Sequence, residues 1–295
     1  MDVAADPWAD LELGQGRWWD VDDAVYHASP IANRGQLDDL DESPRIHEAR
    51  WVSEPPTLSR ESTAAMRKGR VLHTLVLQPH LFASTYVVEP KWEHRSNSNK
   101  GKEEREPFFA SVNGREVVSY HEYRLAKAMA DKVRANRLVA RLLERAHLER
   151  AAVFREETTG TLVRIKPDVL DERPFMDYGG VLADLKSTDD PHPREVPKTV
   201  ANLQYYRQAA LYLDGVQAVT GRPHFFLLVM VRSSWPHETA IYPLSEPALA
   251  QGRNEYRALL ADLTRRRAEN DWAAPWELGI NLPISLPQWK QERFR

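Results

Sequence analysis

The periodicity of the apolar residues changes near residue 150, and this change constrains the fold more than any other feature of the sequence. Before it, apolar side chains recur at helical spacing over residues 62–78 and 119–146. After it, the pattern predicts three strands, a helix closed by Gly215 and two further strands, over 151–155, 162–170, 181–186, 199–214, 225–232 and 238–243. This order of elements predicts an α/β sandwich.

The flanking segments carry weaker patterns. Residues 1–60 are rich in Asp, Pro and Trp, and we expect them to be irregular apart from a short helix around 35–40. Residues 91–110 are polar and charged, which favours a mobile loop. Residues 247–269 form a predicted polar helix, followed by an irregular tail. We therefore expect one domain over 1–295, with an N-terminal segment 1–60, a core 62–245 and a C-terminal helix and tail 246–295.

The composition excludes several classes of site. The chain of 295 residues has no cysteine, which rules out disulfides, thiolate zinc sites, iron–sulfur clusters and cysteine nucleophiles. The N-terminus has no apolar signal region, and the longest apolar run, 225–231, is too short to span a bilayer. We expect a soluble cytoplasmic protein with no membrane partner.

The charge balance is slightly acidic, with a formal net charge of −3 at pH 7. Basic residues are nevertheless clustered within 67–70, 91–102 and 134–150. Binding to nucleic acid requires a locally basic surface rather than a basic average. Solvated helix faces explain these clusters at least as well, so charge by itself does not establish a nucleic-acid partner.

Two acidic residues and a lysine lie at the ends of two neighbouring predicted strands. Pro167-Asp168 stands at the end of one strand, and Asp184-Leu185-Lys186 lies on the next. Alternate strand residues face the same side, so Asp184 and Lys186 point together, and a hairpin would bring Asp168 toward Asp184. Converging carboxylates suit a hard cation such as Mg²⁺, which can polarise a phosphodiester. The lysine would position or activate the attacking water, or neutralise charge on the phosphate. Each string alone is common surface charge, but their position after apolar strands favours a site.

Two predicted helices carry further candidates. His73 shares a helix face with Gly69, whose missing side chain would let a substrate or another backbone approach. Gln204, Gln208 and Tyr212 form one polar stripe on the helix 199–214. A satisfied interior histidine and the polar rim of an amphipathic helix are the structural alternatives for these two patterns.

Taken in order, these strings resemble the nuclease domain of the RecE-like exonucleases, the exonuclease VIII type within the PD-(D/E)xK superfamily. The resemblance covers most of the chain. The strings that carry it are Tyr26-His27-Ala28-Ser29-Pro30, Gly69-x3-His73, Leu77-Gln78-Pro79, Pro167-Asp168, Asp184-Leu185-Lys186-Ser187-Thr188, Tyr205-x2-Gln208-Ala209-Ala210-x-Tyr212 and Pro287-x-Trp289.

For the fold, the resemblance implies an α/β PD-(D/E)xK nuclease, with a central mixed β-sheet flanked by helices and a catalytic core over 62–245. It implies a site for Mg²⁺, for which Mn²⁺ can substitute, with ligands from His73, Asp168, Asp184 and the Leu185 carbonyl. Lys186 would be the catalytic lysine beside the two aspartates, and Gln208 and Tyr212 would support the site. Relatives often carry a glutamate before the first core strand. Glu149 is nearest in this sequence, and its register leaves its contribution open.

For function, the resemblance implies a 5′–3′ exodeoxyribonuclease that degrades the 5′-ended strand of linear duplex DNA and leaves 3′ tails for recombination by strand annealing. It also implies a ring-shaped homo-oligomer and a RecT-like single-strand annealing protein as partner, in a bacterial or phage-infected cell. Three alternatives stay open. They are an endonuclease or single-strand nuclease with the same site, an inactive DNA-binding protein of the same fold, and a metal-dependent small-molecule hydrolase. The last has least support, because no glycine-rich loop that could cradle a phosphate is present.

Overall fold

The computed structural model describes residues 18–21, 23–59, 63–281 and 283–285. The α-helices, in chain order, are α1 Asp23–Ala28, α2 Arg34–Glu42, α3 Pro44–His47, α4 Ala64–Leu77, α5 Phe82–Thr85, α6 Asn99–Ala110, α7 Tyr120–Ala135, α8 Arg137–Leu143, α9 Val196–Asn202, α10 Tyr205–Thr220 and α11 Glu246–Glu269. The β-strands are β1 Tyr86–Val88, β2 Glu116–Val118, β3 His147–Leu148, β4 Ala152–Arg155, β5 Leu162–Ile165, β6 Val169–Asp171, β7 Val181–Thr188, β8 Phe225–Arg232 and β9 Thr239–Pro243. A π-helical turn over Glu48–Val52 and short 3₁₀ turns over Pro79–Leu81 and Pro275–Glu277 complete the regular structure of these residues.

A five-stranded mixed sheet with strand order β3-β6-β7-β8-β9 forms the centre of the fold. β7 and β8 are parallel along their whole length, and the other neighbouring pairs are antiparallel. Helices cover both faces of β7 and β8, which explains why β8 is an almost continuous apolar run in the sequence. The predicted α/β fold, a central mixed sheet flanked by helices, is confirmed.

The alternation of side chains along β7 and β8 divides the core into two layers. Leu182 and Leu228 belong to an apolar cluster with residues of α10 and α11. Leu185 and Val229 belong to a second cluster with residues of α4, α7 and α8. Asp184 therefore shares the α10 side of the sheet with Leu182, because residues two apart on a strand face the same way.

The segment 162–170, predicted as a single strand, is two strands in two different sheets. β5 pairs with β4 in a separate hairpin, and β6 pairs with β3 and β7 in the central sheet. The hairpin turn predicted at 159–160 is present, with Gly160 at a φ of 68°. The break between β5 and β6 falls at Pro167, which has no N–H to donate to a strand partner. Asp168 consequently stands just before β6 rather than at the end of a long strand.

The predicted helix 199–214 is also interrupted and ends later than expected. Gln204 adopts a φ of 53° between α9 and α10, so the helical path restarts at Tyr205. Gly215 does not close the helix, which continues to Thr220 and is capped by Gly221 at a φ of 72°. Glycine is required at 215 for packing instead, because a Cβ there would lie 2.7 Å from side-chain atoms of both Phe154 and Ile165.

Capping side chains explain the remaining differences in the helices. The predicted helix 119–146 is split into α7 and α8 at Asn136, whose side-chain oxygen accepts hydrogen bonds from two backbone N–H groups of α8. Ser119 caps α7 as predicted, and Glu122 completes a capping box. Residues 91–110, predicted to be a mobile loop, contain α6, which Ser98 caps. The prediction missed this helix because its apolar residues are few.

The outer segments follow the predictions only in part. The predicted polar helix 247–269 is α11, and the helix around 35–40 is α2. The described part of the N-terminal segment, however, also contains α1, α3 and the π-helical turn, so it is more regular than predicted. Residues 1–17 and 286–295 of the predicted N-terminal segment and tail lie outside the described residues.

Candidate active site

The hairpin formed by β6 and β7 brings Asp168 to the middle of β7. The antiparallel register pairs Val169 with Ala183, as the sequence predicts for a hairpin. The backbone N–H of Leu185 donates to Asp168 Oδ2 at 2.6 Å, and Asp168 is buried. A hydrogen bond to an ionised acceptor is among the stronger ones in proteins, so the Asp168 carboxylate is fixed against the strand that carries Asp184 and Lys186.

Asp184 is held from two sides in the layer between β7 and α10. Lys186 Nζ lies 2.5 Å from Asp184 Oδ2, and Gln208 Nε2 donates to Asp184 Oδ1 at 2.8 Å. Burial raises the pKa of the Asp184 carboxyl, the Lys186 ammonium counteracts it, and the negative charge of Asp168 raises the pKa again. Both oxygens of this buried carboxylate thus have a partner.

Lys186 is enclosed by an acidic and an aromatic wall. Its Nζ lies 2.5 Å from Asp184 Oδ2 and 5.3 Å from the centroid of the Tyr205 ring. Burial lowers the pKa of this ammonium, but the charges of Asp184 and Asp168 outweigh burial and raise the pKa above its ordinary value. Lys186 is therefore protonated at neutral pH and acts as a fixed positive charge rather than as a base.

His73 enters the site from α4, on the opposite side of the sheet from α10. Its Nε2 lies 2.8 Å from the Leu185 carbonyl oxygen. Its Nδ1 lies 3.5 Å from Glu149 Oε1 and 3.6 Å from Asp168 Oδ1. Burial opposes protonation of the imidazole, yet the carboxylates of Asp168 and Glu149 prevail and raise its pKa to about 9.

Glu149, whose position the sequence left open, lies beside His73 in the candidate site. It lies one residue after β3 with a φ of 53°, an uncommon conformation for a residue other than glycine. This conformation breaks the strand alternation, which is why counting residues along a strand could not place the side chain. Glu149 Oε2 also lies 3.3 Å from Lys166 Nζ, so a second lysine faces the acidic cluster.

The cluster of His73, Glu149 and Asp168 has a donor set that fits a divalent cation. Their possible ligand atoms lie within 4.8 Å of one another. The Leu185 carbonyl oxygen lies 2.8 Å from His73 Nε2 and would add a further oxygen donor beside this cluster. Asp184 is not in this cluster, and its two oxygens contact Lys186 and Gln208.

The predicted stripe of Gln204, Gln208 and Tyr212 is only partly correct. Gln208 contacts Asp184, and Tyr212 is buried one turn further along α10. Burial raises the pKa of Tyr212, and the charge of Asp184 adds to that effect. Gln204 precedes the helix, and its side chain donates to Asp41 Oδ2 at 3.0 Å instead.

Two residues near the site were not singled out as site residues in the sequence. Tyr26 of α1 is buried beside Lys166 and Arg164, and its burial raises its pKa to about 12. Arg34 of α2 lies near enough for its charge to lower the pKa of Lys186. Tyr26 was part of a string used for the resemblance, but no local pattern connected it or Arg34 with residues more than 130 positions away.

Comparisons with known proteins concern the family and the fold. A family model described as a PDDEXK-like domain of unknown function (DUF3799) matches residues 36–277. A crystal structure from Eubacterium rectale, of a protein provisionally described as an exonuclease, is 13% identical with a TM-score of 0.59, covering 90% of this chain and 97% of that chain. An alkaline exonuclease from Laribacter hongkongensis is also 13% identical and covers 83% of this chain and 97% of its own. Its TM-score is 0.32, too low to support an argument. A search of curated proteins found no match.

At these identities the structural likeness concerns the fold alone. The family match covers most of the chain and includes every site residue named above except Tyr26 and Arg34. Among the described residues, no helix combines the length and the apolar character that crossing a membrane requires.

Proposed function

Because the chain belongs to the DUF3799 family of PDDEXK-like domains, we propose that it is a metal-dependent deoxyribonuclease that hydrolyses phosphodiester bonds. One observation carries the proposal, the 2.5 Å contact between Lys186 Nζ and Asp184 Oδ2 directly beside the cluster of His73, Glu149 and Asp168. A fixed ammonium next to a set of oxygen and imidazole donors suits a reaction in which a phosphate gains negative charge.

We assign the metal to His73, Glu149, Asp168 and the Leu185 carbonyl, with Asp184 as a further ligand when its contact with Lys186 rearranges. Mg²⁺ is the proposed ion, with Mn²⁺ as a substitute, because most of these donors are oxygens. When bound, such an ion supplies Lewis-acid stabilisation of the phosphate and lowers the pKa of a water nucleophile.

The protein side chains perform the remaining tasks. Lys186 keeps its positive charge at neutral pH and is placed to stabilise the phosphate oxygens as negative charge develops on them. Asp184 and the Tyr205 ring both contact this ammonium in the structure. Gln208 holds the second oxygen of Asp184, so the carboxylate keeps one orientation.

The finer proposal is an exonuclease that degrades the 5′-ended strand of linear double-stranded DNA and leaves 3′ single-stranded tails. The ordered strings that resemble RecE-like exonucleases support it, as does the same general fold in the Eubacterium rectale protein that is described as an exonuclease. A ring-shaped homo-oligomer and a RecT-like annealing partner belong to the same proposal and rest on the resemblance alone.

The test uses linear duplex DNA labelled at the 5′ or the 3′ end, with and without Mg²⁺, beside a closed circle. Metal-dependent loss of the 5′-ended strand with an intact circle is the expected result. Cutting of the circle would replace the exonuclease with an endonuclease. Tight DNA binding without cleavage in Mg²⁺ or Mn²⁺ would favour an inactive DNA-binding protein.

The assignment of the site is tested with Asp184→Asn, which removes the charge and keeps the side-chain volume. We expect cleavage to fall by at least 10²-fold, the scale of removing one electrostatic group from a phosphoryl-transfer site. Asp177→Asn is the matched control, since Asp177 is exposed in the loop before β7. Equal activity of the two variants would contradict the assignment of the site.

A further inference from the structure

Arg34 connects α2 to the side of the site where Lys186 lies. Its Nη2 donates to the Leu203 carbonyl oxygen at 3.2 Å, in the connection between α9 and α10. Two residues later, the ring of Tyr205 lies 5.3 Å from Lys186 Nζ. The exposed fraction of the Arg34 side chain is 29%, so this side chain is both anchored and accessible to solvent.

The charge of Arg34 is only partly compensated. Asp38 is shared between two guanidinium groups, with Oδ2 at 2.9 Å from Arg34 Nε and Oδ1 at 2.8 Å from Arg207 Nη2. Arg207 is buried and also pairs with Asp41. Arg34 is therefore the more exposed of the two guanidinium groups in this network. Its charge partly opposes the raised pKa values of Lys186 and Tyr205.

Two positive groups directed to the same side of a site repel each other unless an anion lies near both. Asp184 accompanies Lys186, and Asp38 accompanies Arg34, but each carboxylate is already shared with another donor. The Arg34 guanidinium contacts Asp38 and Leu203 through Nε and Nη2. Its planar set of N–H donors matches two oxygens of a phosphate, whereas an ammonium provides only a point charge.

We propose that Arg34 binds the non-bridging oxygens of the DNA phosphate next to the scissile one, on the strand that Lys186 contacts. The inference rests on the proposed nuclease function and deepens it, because it names a second phosphate contact formed by α2. Arg34 is a substrate-binding residue in this proposal. Its ion pair with Asp38 and its hydrogen bond to the Leu203 carbonyl orient the guanidinium.

The structural alternative is that Arg34 only ties α2 to the connection between α9 and α10. Arg34→Gln removes the charge, and Arg34→Lys keeps the charge without the planar fork. Arg45→Gln is the matched control, because Arg45 is an exposed arginine of the neighbouring α3 that pairs with Glu48 and Glu277. Thermal unfolding of each full-length variant shows whether it is folded.

The first measurement is the affinity for duplex DNA at several salt concentrations, with Ca²⁺ replacing Mg²⁺ and no cleavage detected. We expect Arg34→Gln to bind about 10- to 100-fold more weakly, the loss of a hydrogen-bonded charge contact. The slope of log K against log salt should fall by about 0.9, the value for one lost phosphate contact. Arg34→Lys should keep the salt slope and lose part of the affinity, and Arg45→Gln should match the wild type.

The second measurement locates the phosphate with DNA carrying one neutral methylphosphonate at successive positions. A neutral group at the phosphate next to the scissile one should weaken DNA binding by the wild type. The same DNA should bind Arg34→Gln with no further loss of affinity. Additive losses at every position would overturn the inference. A folded Arg34→Gln with wild-type affinity and salt slope, while the wild type cleaves DNA, would also refute it and leave the nuclease proposal intact. A wild type that neither binds nor cleaves DNA would overturn both.

Discussion

Gln208 and Gln204 lie four residues apart in the sequence, but only Gln208 contacts the proposed catalytic carboxylate. Gln208 Nε2 donates to Asp184 Oδ1 at 2.8 Å in a buried layer. Gln204 bonds to Asp41 at the protein surface. We therefore predict that Gln208→Leu impairs catalysis and that Gln204→Ala, its matched control, does not.

The magnitude follows from the bond that is lost. A hydrogen bond to a charged group contributes about 1.5–3 kcal/mol. If that energy serves to orient Asp184 in the transition state, kcat/KM falls by roughly 10- to 150-fold. Two effects on stability oppose each other: leucine removes the buried Gln208 Oε1, which has no hydrogen-bond partner among the described residues, but it also removes the donor to Asp184 Oδ1.

The assay is steady-state cleavage of linear duplex DNA in Mg²⁺, together with thermal unfolding of each variant. We expect the loss in kcat rather than in KM, since Gln208 is buried and contacts Asp184. This role of Gln208 is refuted if Gln208→Leu stays within about threefold of the wild type, a change smaller than the loss of one weak hydrogen bond. It is also refuted if Gln204→Ala loses as much activity as Gln208→Leu.

Three further predictions concern stability. Gly215→Ala should lower the free energy of unfolding by about 1–2 kcal/mol through overpacking, whereas Gly69→Ala should raise it by about 0.5–1 kcal/mol, because a Cβ at 69 meets no atom within 4 Å. Chemical denaturation measures both changes, and stabilisation by both substitutions would contradict the packing at 215. Burial lowers the pKa of His47, so the unfolded state binds the proton first and stability should decline as pH falls below about 6.5. The Tm of His47→Asn should depend less on pH in this range, and an unchanged dependence would exclude His47 as the cause. Mg²⁺ at about 100 times its Kd should stabilise the folded protein by ~2.7 kcal/mol and so raise its Tm by about 4 °C. Asp168→Asn should abolish this shift in Tm, and a full shift in that variant would contradict the role of Asp168 in the metal site.

The strongly patterned parts of the sequence were predicted well because their patterns are local. The runs that became β7 and β8 are bounded by turns and buried on both faces, and the aspartate and lysine two residues apart on β7 had to share a side. The antiparallel return from Asp168 to β7 followed from the same reasoning. The predictions failed where a single polar residue redirects the chain, as Asn136 does between α7 and α8.

The neighbours of the site residues could not be read from local patterns. Glu149 reaches His73 because its positive φ turns the side chain out of the strand alternation. A positive φ also explains why Gln204 does not share a helix face with Gln208. Its φ of 53° places it before α10 rather than within it. Arg34 reaches the Leu203 carbonyl across 169 residues of sequence.

The sequence by itself thus determined the α/β order of elements and the pairing of Asp184 with Lys186 on one strand. These are consequences of side-chain periodicity, which acts between residues a few positions apart. Only the tertiary structure decided that His73, Glu149 and Asp168 form one cluster. It also decided that Gln208, rather than Gln204, holds Asp184. Those contacts depend on how helices from distant parts of the chain pack against the two faces of the sheet. The free energy of that packing is distributed over many residues, so no short sequence motif determines it.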